Sequence, residues 1–174
     1  MDKKAMYKLT YGLFVLTARS GEKDNGCIIN TAGQVTSTPN RISITVNKDN
    51  FTHDMIRETG RFNLSILSEQ ADFEVFKHFG FQSGRTVDKF DGFGACARSA
   101  NGLYYVTEGT NAYISAVVEQ AIDLGSHTMF IAAVAIKEPI TFKKAGGVLL
   151  SLCGVIFLIL NRASAASGVE HSSA

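Results

Sequence analysis

Alternating apolar and polar positions dominate this chain, most clearly at Phe62, Leu64 and Ile66. A period of two puts alternate side chains on opposite faces of a strand, so this pattern predicts half-buried strands. Because these segments do not alternate regularly with helices, we predict a mainly β fold with a few short helices, an antiparallel barrel or sandwich. The predicted strands are residues 6–18, 26–34, 41–47, 61–67, 103–107, 112–124 and 127–137.

Two short helices interrupt the strands. The first is predicted over residues 52–59, with Asn50 or Thr52 as its N-cap and Gly60 as its terminator. The second begins after a Ser68 cap and ends at Gly80, with an apolar stripe of Phe73, Phe76 and Phe79. Residues 81–98 show no periodicity and form a long loop, which in a compact domain is usually functional or disordered.

Length, charge and cysteine content exclude several classes of protein. The chain has 174 residues, enough for one domain with a core, and its net charge of +1 gives no electrostatic case for nucleic-acid binding. Three distant cysteines, Cys27, Cys96 and Cys153, fit neither a metal site nor a disulfide framework. No long apolar stretch follows the N-terminal residues, so we expect a cytoplasmic protein with reduced thiols and no metal.

The C-terminal part has a different composition. We expect a folded domain over residues 1–140, an apolar segment over 141–162 and a disordered tail over 163–174. Residues 145–160 carry no charge, but a helix of this length spans about 24 Å, short of the roughly 30 Å of a bilayer core. Three alternatives stay open: burial in the fold or a dimer interface, membrane contact, or an end that packs poorly.

Two polar stretches carry candidate binding chemistry. Residues 30–38 supply amides and hydroxyls that suit the carbonyls and ring nitrogens of a heterocycle, although an ordinary polar turn has the same composition. Residues 47–53 offer a helix start for a phosphate, and Lys48, Thr52 and His53 could add donors there. The alternative for this second stretch is simple N-capping with a surface histidine.

The long loop and the last strand add further candidates. Arg85 and Lys89 could fold over an anionic ligand, and Phe81 or Phe90 could cover a ring; a solvated charged loop is the alternative. His127 opens an apolar strand after a Gly-Ser turn, so it should lie at a barrel mouth, where a histidine is more often structural. Residues 92–97 fit a G-x-G-x-x-A pattern but lack the strand and helix of a dinucleotide-binding unit.

These motifs, in this order, resemble the flavin reductase-like, FMN-binding split-barrel proteins, especially the flavoredoxin and NADH:rubredoxin oxidoreductase branch. The resemblance covers residues 6–140. It rests on YGL at 11–13, NGCIINT at 25–31, QVTS at 34–37, PNR at 39–41, NFTHDMI at 50–56, SGR at 83–85, DKF at 88–90 and GSH at 125–127.

The resemblance implies a six-stranded, Greek-key split barrel that forms a homodimer and holds FMN near the subunit interface. Lys89 would close over the flavin from the surface, and His127 would be the catalytic residue at the flavin and nicotinamide site. The cofactor-binding residues would be Asn30, Thr31, Ala32, Gly33, Gln34, Val35, Thr36, Lys48, Asn50, Thr52, His53, Ser83, Lys89 and His127.

The implied activity is hydride transfer from NAD(P)H to bound flavin and on to free flavin, rubredoxin or another acceptor. Two alternatives remain. One is an FMN-bearing electron carrier without its own NAD(P)H site, and the other is a membrane-associated redox subunit that uses residues 145–160.

Overall fold

The structure, a computed structural model, describes residues 4–135, apart from the side chains of Met6 and Tyr7. The predicted C-terminal segment 141–162 and tail 163–174 lie outside the described residues, so those domain boundaries stay predictions. In the part that is described, no helix is long and apolar enough to cross a membrane.

The described residues form an antiparallel β fold with two α-helices and one short 3-10 helix, Ala5–Lys8. The helices are α1, Phe51–Thr59, and α2, Phe73–Gly80. The strands are β1 Phe14–Ser20, β2 Lys23–Ile29, β3 Ala32–Ser37, β4 Asn40–Asn47, β5 Arg61–Leu67, β6 Cys96–Arg98, β7 Tyr104–Val106, β8 Thr110–Asp123 and β9 His127–Val134.

Seven strands form one antiparallel sheet in the order β2-β1-β5-β8-β9-β4-β3, and β6 pairs with β7 in a separate ribbon. The two edge strands, β2 and β3, are consecutive in the chain and only Asn30 and Thr31 separate them. A connection this short requires the sheet to curl until its edges approach each other. The curled sheet is the split barrel implied by the resemblance, and the mainly β fold is confirmed.

The inner face of this sheet holds the core. Leu16, Ile44, Phe62 and Phe130 are at most 1% exposed and come from four different strands. Helix α1 closes the core with Met55 and Ile56 on its buried face. A smaller apolar cluster lies around Phe79 of α2.

The predicted long loop 81–98 ends earlier than expected, because residues 96–98 form strand β6 of the β6–β7 ribbon. The Arg98 guanidinium donates to both Asp24 carboxylate oxygens, at 3.2 and 2.8 Å, and thereby ties the ribbon to β2. The buried Asn63 amide of β5 donates to Ser99 Oγ at 2.8 Å. These contacts hold the C-terminal end of the loop against the sheet.

Helix α1 confirms the sequence prediction within one residue. Asn50 is its N-cap and accepts a hydrogen bond from the Thr52 amide at 3.1 Å. Gly60 ends the helix in the left-handed conformation, with φ of 65°, and donates to the Ile56 carbonyl. Glycine suits this position because it has no Cβ to clash there.

The prediction of a strand over residues 6–18 is wrong in its first half. Residues 5–8 form the 3-10 helix, and regular pairing starts only at Phe14, opposite Ile29 and Ile66. The side chains of Leu9, Tyr11 and Leu13 are exposed. The alternation of apolar residues therefore begins before Phe14, in a segment that has no strand to pair with.

The prediction for the second helix is wrong at its start. Asp72, not Ser68, is its N-cap and accepts from the Glu74 amide at 2.9 Å. Ser68 instead begins a turn, in which its Oγ accepts from Gln70 N. Of the predicted stripe, only Phe79 is buried and Phe73 is 59% exposed.

One predicted strand, residues 26–34, is two strands in the structure. The break at Asn30 and Thr31 separates β2 from β3, so the larger sheet of the described part has seven strands rather than the implied six. The prediction of Arg41–Asn47 as a strand, and of strands near 61–67, 103–107, 112–124 and 127–137, is confirmed with small shifts at the ends.

Candidate functional site

A cavity of about 290 Å³ lies between β2, the start of α1 and the loop that follows α2. We call it the loop cavity. It brings together three of the predicted site residues from two distant parts of the chain: Asn50 at the start of α1, and Ser83 and Lys89 in the loop after α2. The full lining is Cys27, Ile28, Asp49, Asn50, Phe51, Phe79, Gly80, Phe81, Gln82, Ser83, Gly84 and Lys89.

Lys89 is buried at the base of this cavity, only 2% exposed, which contradicts the expectation of a surface lysine that closes over a ligand. Its ammonium donates to the carbonyl oxygens of Gly26 at 2.8 Å and Phe79 at 2.9 Å. An ammonium has three N–H donors, so one remains. None of the ion pairs among the described residues includes Lys89.

Burial changes the acid–base properties of Lys89 and its neighbour Cys27. Desolvation lowers the pKa of Lys89, and the charge of Cys27 acts in the opposite direction. Desolvation raises the pKa of the Cys27 thiol, while hydrogen bonds from Thr52 and Asn50 and the charge of Lys89 oppose that shift. A buried ammonium without a carboxylate partner gains stability from any anion that enters the cavity.

Two further cations flank the cavity on the ring of Phe51. Lys23 Nζ lies 5.1 Å from the ring centroid and the Arg85 guanidinium carbon lies 4.9 Å from it. Arg85 also donates to Asp54 Oδ2 at 2.6 Å, and this hydrogen bond is the main cause of the lowered pKa of Asp54. Asp54 thus partly neutralises Arg85, whereas Lys89 has no carboxylate partner among the described residues.

The wall formed by residues 83–87 is a tight turn. The amides of Thr86 and Val87 both donate to the Ser83 carbonyl at 3.1 Å, and the Arg85 amide donates to Ser83 Oγ at 3.2 Å. Gly84 is buried within the turn and packs directly against the side chain of Asn25. A Cβ on Gly84 would overlap the Asn25 amide oxygen, so this packing requires glycine.

Asn25 and Thr52 lie beneath the cavity rather than in its wall. Asn25 Nδ2 donates to Thr52 Oγ1 at 2.9 Å, and both side chains are at most 1% exposed. The side chain of Thr52, a predicted ligand-binding residue, therefore joins the start of α1 to Asn25 of β2 and does not line the cavity. Asn25 Oδ1 is the one buried side-chain polar atom of the described part for which no hydrogen bond is found.

Three other predicted residues line a second cavity, of about 350 Å³, which we call the sheet-edge cavity. Ala32, Gly33 and Gln34 of β3 form one wall of it, and its two polar side chains are bonded to each other: Asn40 Oδ1 accepts from Gln34 Nε2 at 3.3 Å. Its remaining lining is apolar and comes from Phe14, Ile42, Leu64, Ile66, Ile114 and Val134. A cavity with this lining suits a flat ring system whose faces are apolar and whose edge carries hydrogen-bonding groups.

Lys48 and His53 line neither of these cavities. They lie together in a shallow cavity of about 550 Å³ with Thr128 and Asp123. Lys48 Nζ pairs with Asp123 at 2.7 Å, and His53 Nε2 lies 2.9 Å from Thr128 Oγ1. His53 is only 7% exposed. Their expected position beside a phosphate therefore does not coincide with the loop cavity.

His127 lies at the start of β9, opposite Asn47 of β4, as expected for a strand end. Its Nδ1 is 2.8 Å from Ser126 Oγ, and the ring is half-buried. The backbone of Ser126 accepts from the Lys48 amide at 3.0 Å. His127 is thus close in the fold to Lys48, but it lines none of the three cavities above.

The other predicted residues of the polar stretch are exposed. Asn30, Thr31, Val35 and Thr36 lie on or beside the edge strand β3, and Val35 is 48% exposed. Thr31 Oγ1 donates to the Thr45 carbonyl at 2.7 Å. Their exposed side chains leave this edge free for a ligand or a second subunit.

Part of this site was not predicted from the sequence. Asn25 and Gly84 carried the resemblance but were assigned no role, and Cys27 was treated only as a reduced thiol. Phe90 was expected to cover a ligand ring, but it stacks on Tyr104 with centroids 4.5 Å apart. Asn25 lies just before the predicted strand 26–34, so no local pattern indicated that it would be buried. No His/Cys/Asp/Glu cluster suited to a metal is found among residues 4–135.

Known proteins resemble this chain over most of its length. The "Flavin reductase like domain" family matches residues 6–139. "High molecular weight rubredoxin" of Moorella thermoacetica is 40% identical over 148 residues, which are 82% of this chain and 64% of that protein. "Ferric-chelate reductase (NAD(P)H)" of Archaeoglobus fulgidus is 37% identical over 131 residues, 75% of this chain and 77% of that protein. The chain thus spans less than two thirds of the first relative.

Solved structures share the fold. An FMN-binding protein from Thermus thermophilus superposes with a TM-score of 0.66 at 23% identity, covering 74% of this chain and 72% of that one. A flavoredoxin from Methanosarcina acetivorans superposes with a TM-score of 0.65 at 17% identity, covering 77% and 73%. At the level of the family, the matches confirm the predicted oxidoreductase class and flavin cofactor. By its sequence and its split barrel, the chain belongs to the flavin reductase-like family.

Proposed function

We propose that this protein binds FMN with its phosphate in the loop cavity and transfers a hydride from NAD(P)H to the flavin and on to an external acceptor. One observation carries the proposal: Lys89 is a buried ammonium that has one N–H not bonded to Gly26 or Phe79, and it has no carboxylate partner among the described residues. A phosphate would be the anionic partner of this ammonium.

The chain's own residues would divide the binding between two cavities. Lys89, Ser83, Asn50 and the N-terminus of α1 would hold the phosphate, since a helix start carries partial positive charge. Residues 30–36 would line the flavin ring along β3. Ile28 lines the loop cavity and Ala32 the sheet-edge cavity, so four residues of chain keep these points within about 14 Å of each other.

The positions of the remaining site residues support narrower roles. We assign His127 to the side of the ring where nicotinamide would bind, as the resemblance implies. Lys48 and His53 lie at the same end of β4 and β9 as His127, so we assign them to that side and not to the phosphate. When bound, FMN supplies the hydride-accepting chemistry, and the protein supplies binding and orientation.

The proposed function predicts that purified protein is yellow, or becomes yellow with FMN, and oxidises NADH or NADPH when an acceptor is present. Free FMN, a rubredoxin and a ferric chelate should each be supplied separately, because one relative described above is named a rubredoxin and the other a ferric-chelate reductase. Rates of nicotinamide oxidation, followed by absorbance, identify the acceptor. A protein that binds no FMN by calorimetry refutes the proposal.

The same assay separates the alternative of an electron carrier. A carrier binds FMN stoichiometrically and is reduced by dithionite, but neither NADH nor NADPH reduces it. A carrier therefore shows no oxidation of NADH or NADPH, with or without the His127→Ala substitution. In a reductase whose His127 ring contacts the reacting atoms, His127→Ala should lower kcat/KM by roughly 10-fold or more.

The charge state of Lys89 predicts a pH dependence of FMN binding. The ammonium is the form that binds the phosphate, and burial lowers its pKa below the ordinary 10.5. FMN affinity should therefore fall as the pH rises from neutral through the Lys89 pKa. Calorimetric titrations across this range measure the fall. Lys89→Met removes the titrating group, so the same slope in that variant would contradict the assignment.

We also propose that the protein is a homodimer, as the resemblance implies. Supporting this, Val117 and Ile122 on β8, Val35 on β3 and Leu124 after β8 are large apolar side chains that are 40–50% exposed. Val117→Lys should shift the molar mass measured by light scattering from dimer to monomer. Val87→Lys, on the loop, should leave it unchanged. A wild-type monomer contradicts the proposal.

A further inference from the structure

His78 of α2 lines neither the loop cavity nor the sheet-edge cavity, yet it contacts the lysine on which the proposed phosphate site depends. Its Nε2 donates to the main-chain carbonyl oxygen of Lys89 at 2.5 Å. Because a carbonyl oxygen only accepts, this contact places a hydrogen on Nε2. Within residues 4–135, it is the only hydrogen bond that the His78 side chain makes.

The C-terminal end of α2 therefore holds Lys89 at two points. His78 binds its main chain, and the carbonyl oxygen of the next residue, Phe79, accepts from its ammonium at 2.9 Å. A helix leaves its last carbonyls without helical partners and carries partial negative charge there, so it stabilises a cation. The ammonium keeps this contact with the helix end only while the main chain of Lys89 stays within reach.

The His78 ring is itself fixed by aromatic neighbours. It stacks on Phe93, with centroids 4.7 Å apart and ring planes at 19°, and it meets Phe79 edge-on at 4.8 Å. Phe93 lies later in the loop that carries Lys89. Phe90, the residue after Lys89, packs on Phe79 with centroids 5.6 Å apart. Aromatic contacts and one hydrogen bond thus join the loop to the helix.

His78 also lines a cavity of about 750 Å³ beside α2, which we call the α2 cavity. Phe81 and Gln82 line both this cavity and the loop cavity, so the two adjoin. His78 is half-buried there. A smaller side chain at position 78 therefore faces an existing cavity and creates no closed void in the core, which limits the loss of stability.

We propose that His78 is a positioning residue for the FMN phosphate: by holding the main chain of Lys89, it determines where the buried ammonium presents its remaining N–H. This inference rests on the proposed function, because it concerns the same phosphate site. A lysine side chain is a flexible four-carbon stem, so its own bonds do not fix the position of the ammonium. Without the His78 contact, the loop can move away from α2 and water can reach the ammonium.

The first test compares three substitutions of His78 by calorimetric titration with FMN. The amide nitrogen of Gln lies as many bonds from Cβ as the Nε2 of His, whereas the amide nitrogen of Asn lies one bond closer. Only His78→Gln can therefore restore the hydrogen bond to the Lys89 carbonyl. His78→Leu and His78→Asn should weaken FMN binding roughly three- to tenfold, and His78→Gln should recover most of the affinity. Wild-type affinity in His78→Asn, or equal losses in His78→Gln and His78→Asn, overturns the inference.

The second test asks whether His78 acts through Lys89, which a merely structural role would not require. In a Lys89→Met background there is no ammonium to position, so His78→Asn should cause no further loss of FMN affinity. Losses that add in the double variant, measured where it is folded, overturn the inference.

The pH dependence of FMN binding gives an independent readout. Burial lowers the pKa of Lys89, and Cys27 is the one titratable group among the described residues whose charge acts on it. If His78→Asn admits water to the ammonium, the Lys89 pKa rises toward its ordinary 10.5, and the fall in FMN affinity moves to higher pH. An unmoved pH profile in this variant contradicts the inference. Wild-type protein that binds no FMN would instead refute the proposed function.

Discussion

Replacing Lys89 with methionine should weaken both FMN binding and the fold. The substitution leaves the carbonyl oxygens of Gly26 and Phe79 buried without their donor, at about 1–3 kcal/mol for each unsatisfied group. Removing a desolvated ammonium offsets part of this cost. We expect the free energy of unfolding, measured with urea and no FMN, to fall by about 2–4 kcal/mol.

The loss of FMN binding free energy should be of similar size. Loss of a charged donor to the phosphate should lower FMN affinity by roughly 10- to 100-fold, measured by calorimetry under conditions where the variant is folded. Lys89→Arg keeps the charge but not the geometry of two carbonyl contacts, so it should recover part of the affinity. A lysine at the surface, as expected from the sequence, would give the same loss of binding but leave the fold unchanged.

Lys77 supplies the matched control. It lies on α2, but it is exposed and pairs with Glu74 at the surface, where such a pair contributes at most about 1 kcal/mol. Lys77→Met should leave FMN affinity unchanged and alter stability only slightly. Equal effects of Lys77→Met and Lys89→Met would show that burial of Lys89 has no energetic consequence.

Gly84→Ala should distort the wall of the loop cavity. The new methyl group would overlap the Asn25 amide oxygen, and both residues are buried, so the turn at residues 83–87 must move away from β2. Overpacking of this kind costs about 1–3 kcal/mol of stability. Since Ser83 lies in the same turn, we expect FMN affinity to fall about tenfold as well.

Two further variants test the cause of this effect. Gly94→Ala adds the same methyl group later in the loop, where nothing lies within 4 Å, and should change neither quantity. Asn25→Ala removes the group that the methyl would strike, so the double variant should bind FMN better than Gly84→Ala alone. Strictly additive losses in the double variant would show that the two residues do not interact through this contact.

The loop illustrates what local pattern could not predict. Asp88-Lys89-Phe90 reads as a polar loop with one apolar residue, and nothing in that pattern indicates a buried ammonium. Its burial depends on Gly26, 63 residues earlier, and on Phe79, 10 residues earlier, because the carbonyl oxygens of both accept hydrogen bonds from its ammonium. The position of this lysine is therefore a long-range property of the fold.

The predicted site divides for the same reason. Residues 47–53 and 83–89 were correctly placed at a helix start and in a loop. Asn30 and Thr31, expected on a strand, instead connect β2 to β3, and residues 34–37, expected in a turn, belong to β3. Only the curl of the sheet determines which of them meet. It brings Asn50, Ser83 and Lys89 to one cavity and leaves Lys48 and His53 beside Thr128 on β9.

The amino-acid sequence by itself determined the mainly β class, the bounds of α1 and most strands, and the family, because each depends on short-range periodicity, caps or ordered motifs. Tertiary structure decided the depth of Lys89, the overlap that requires glycine at position 84, and the α2 cavity beside the loop cavity. Burial and shape arise from residues far apart in the chain, and no local pattern encodes the distance between them.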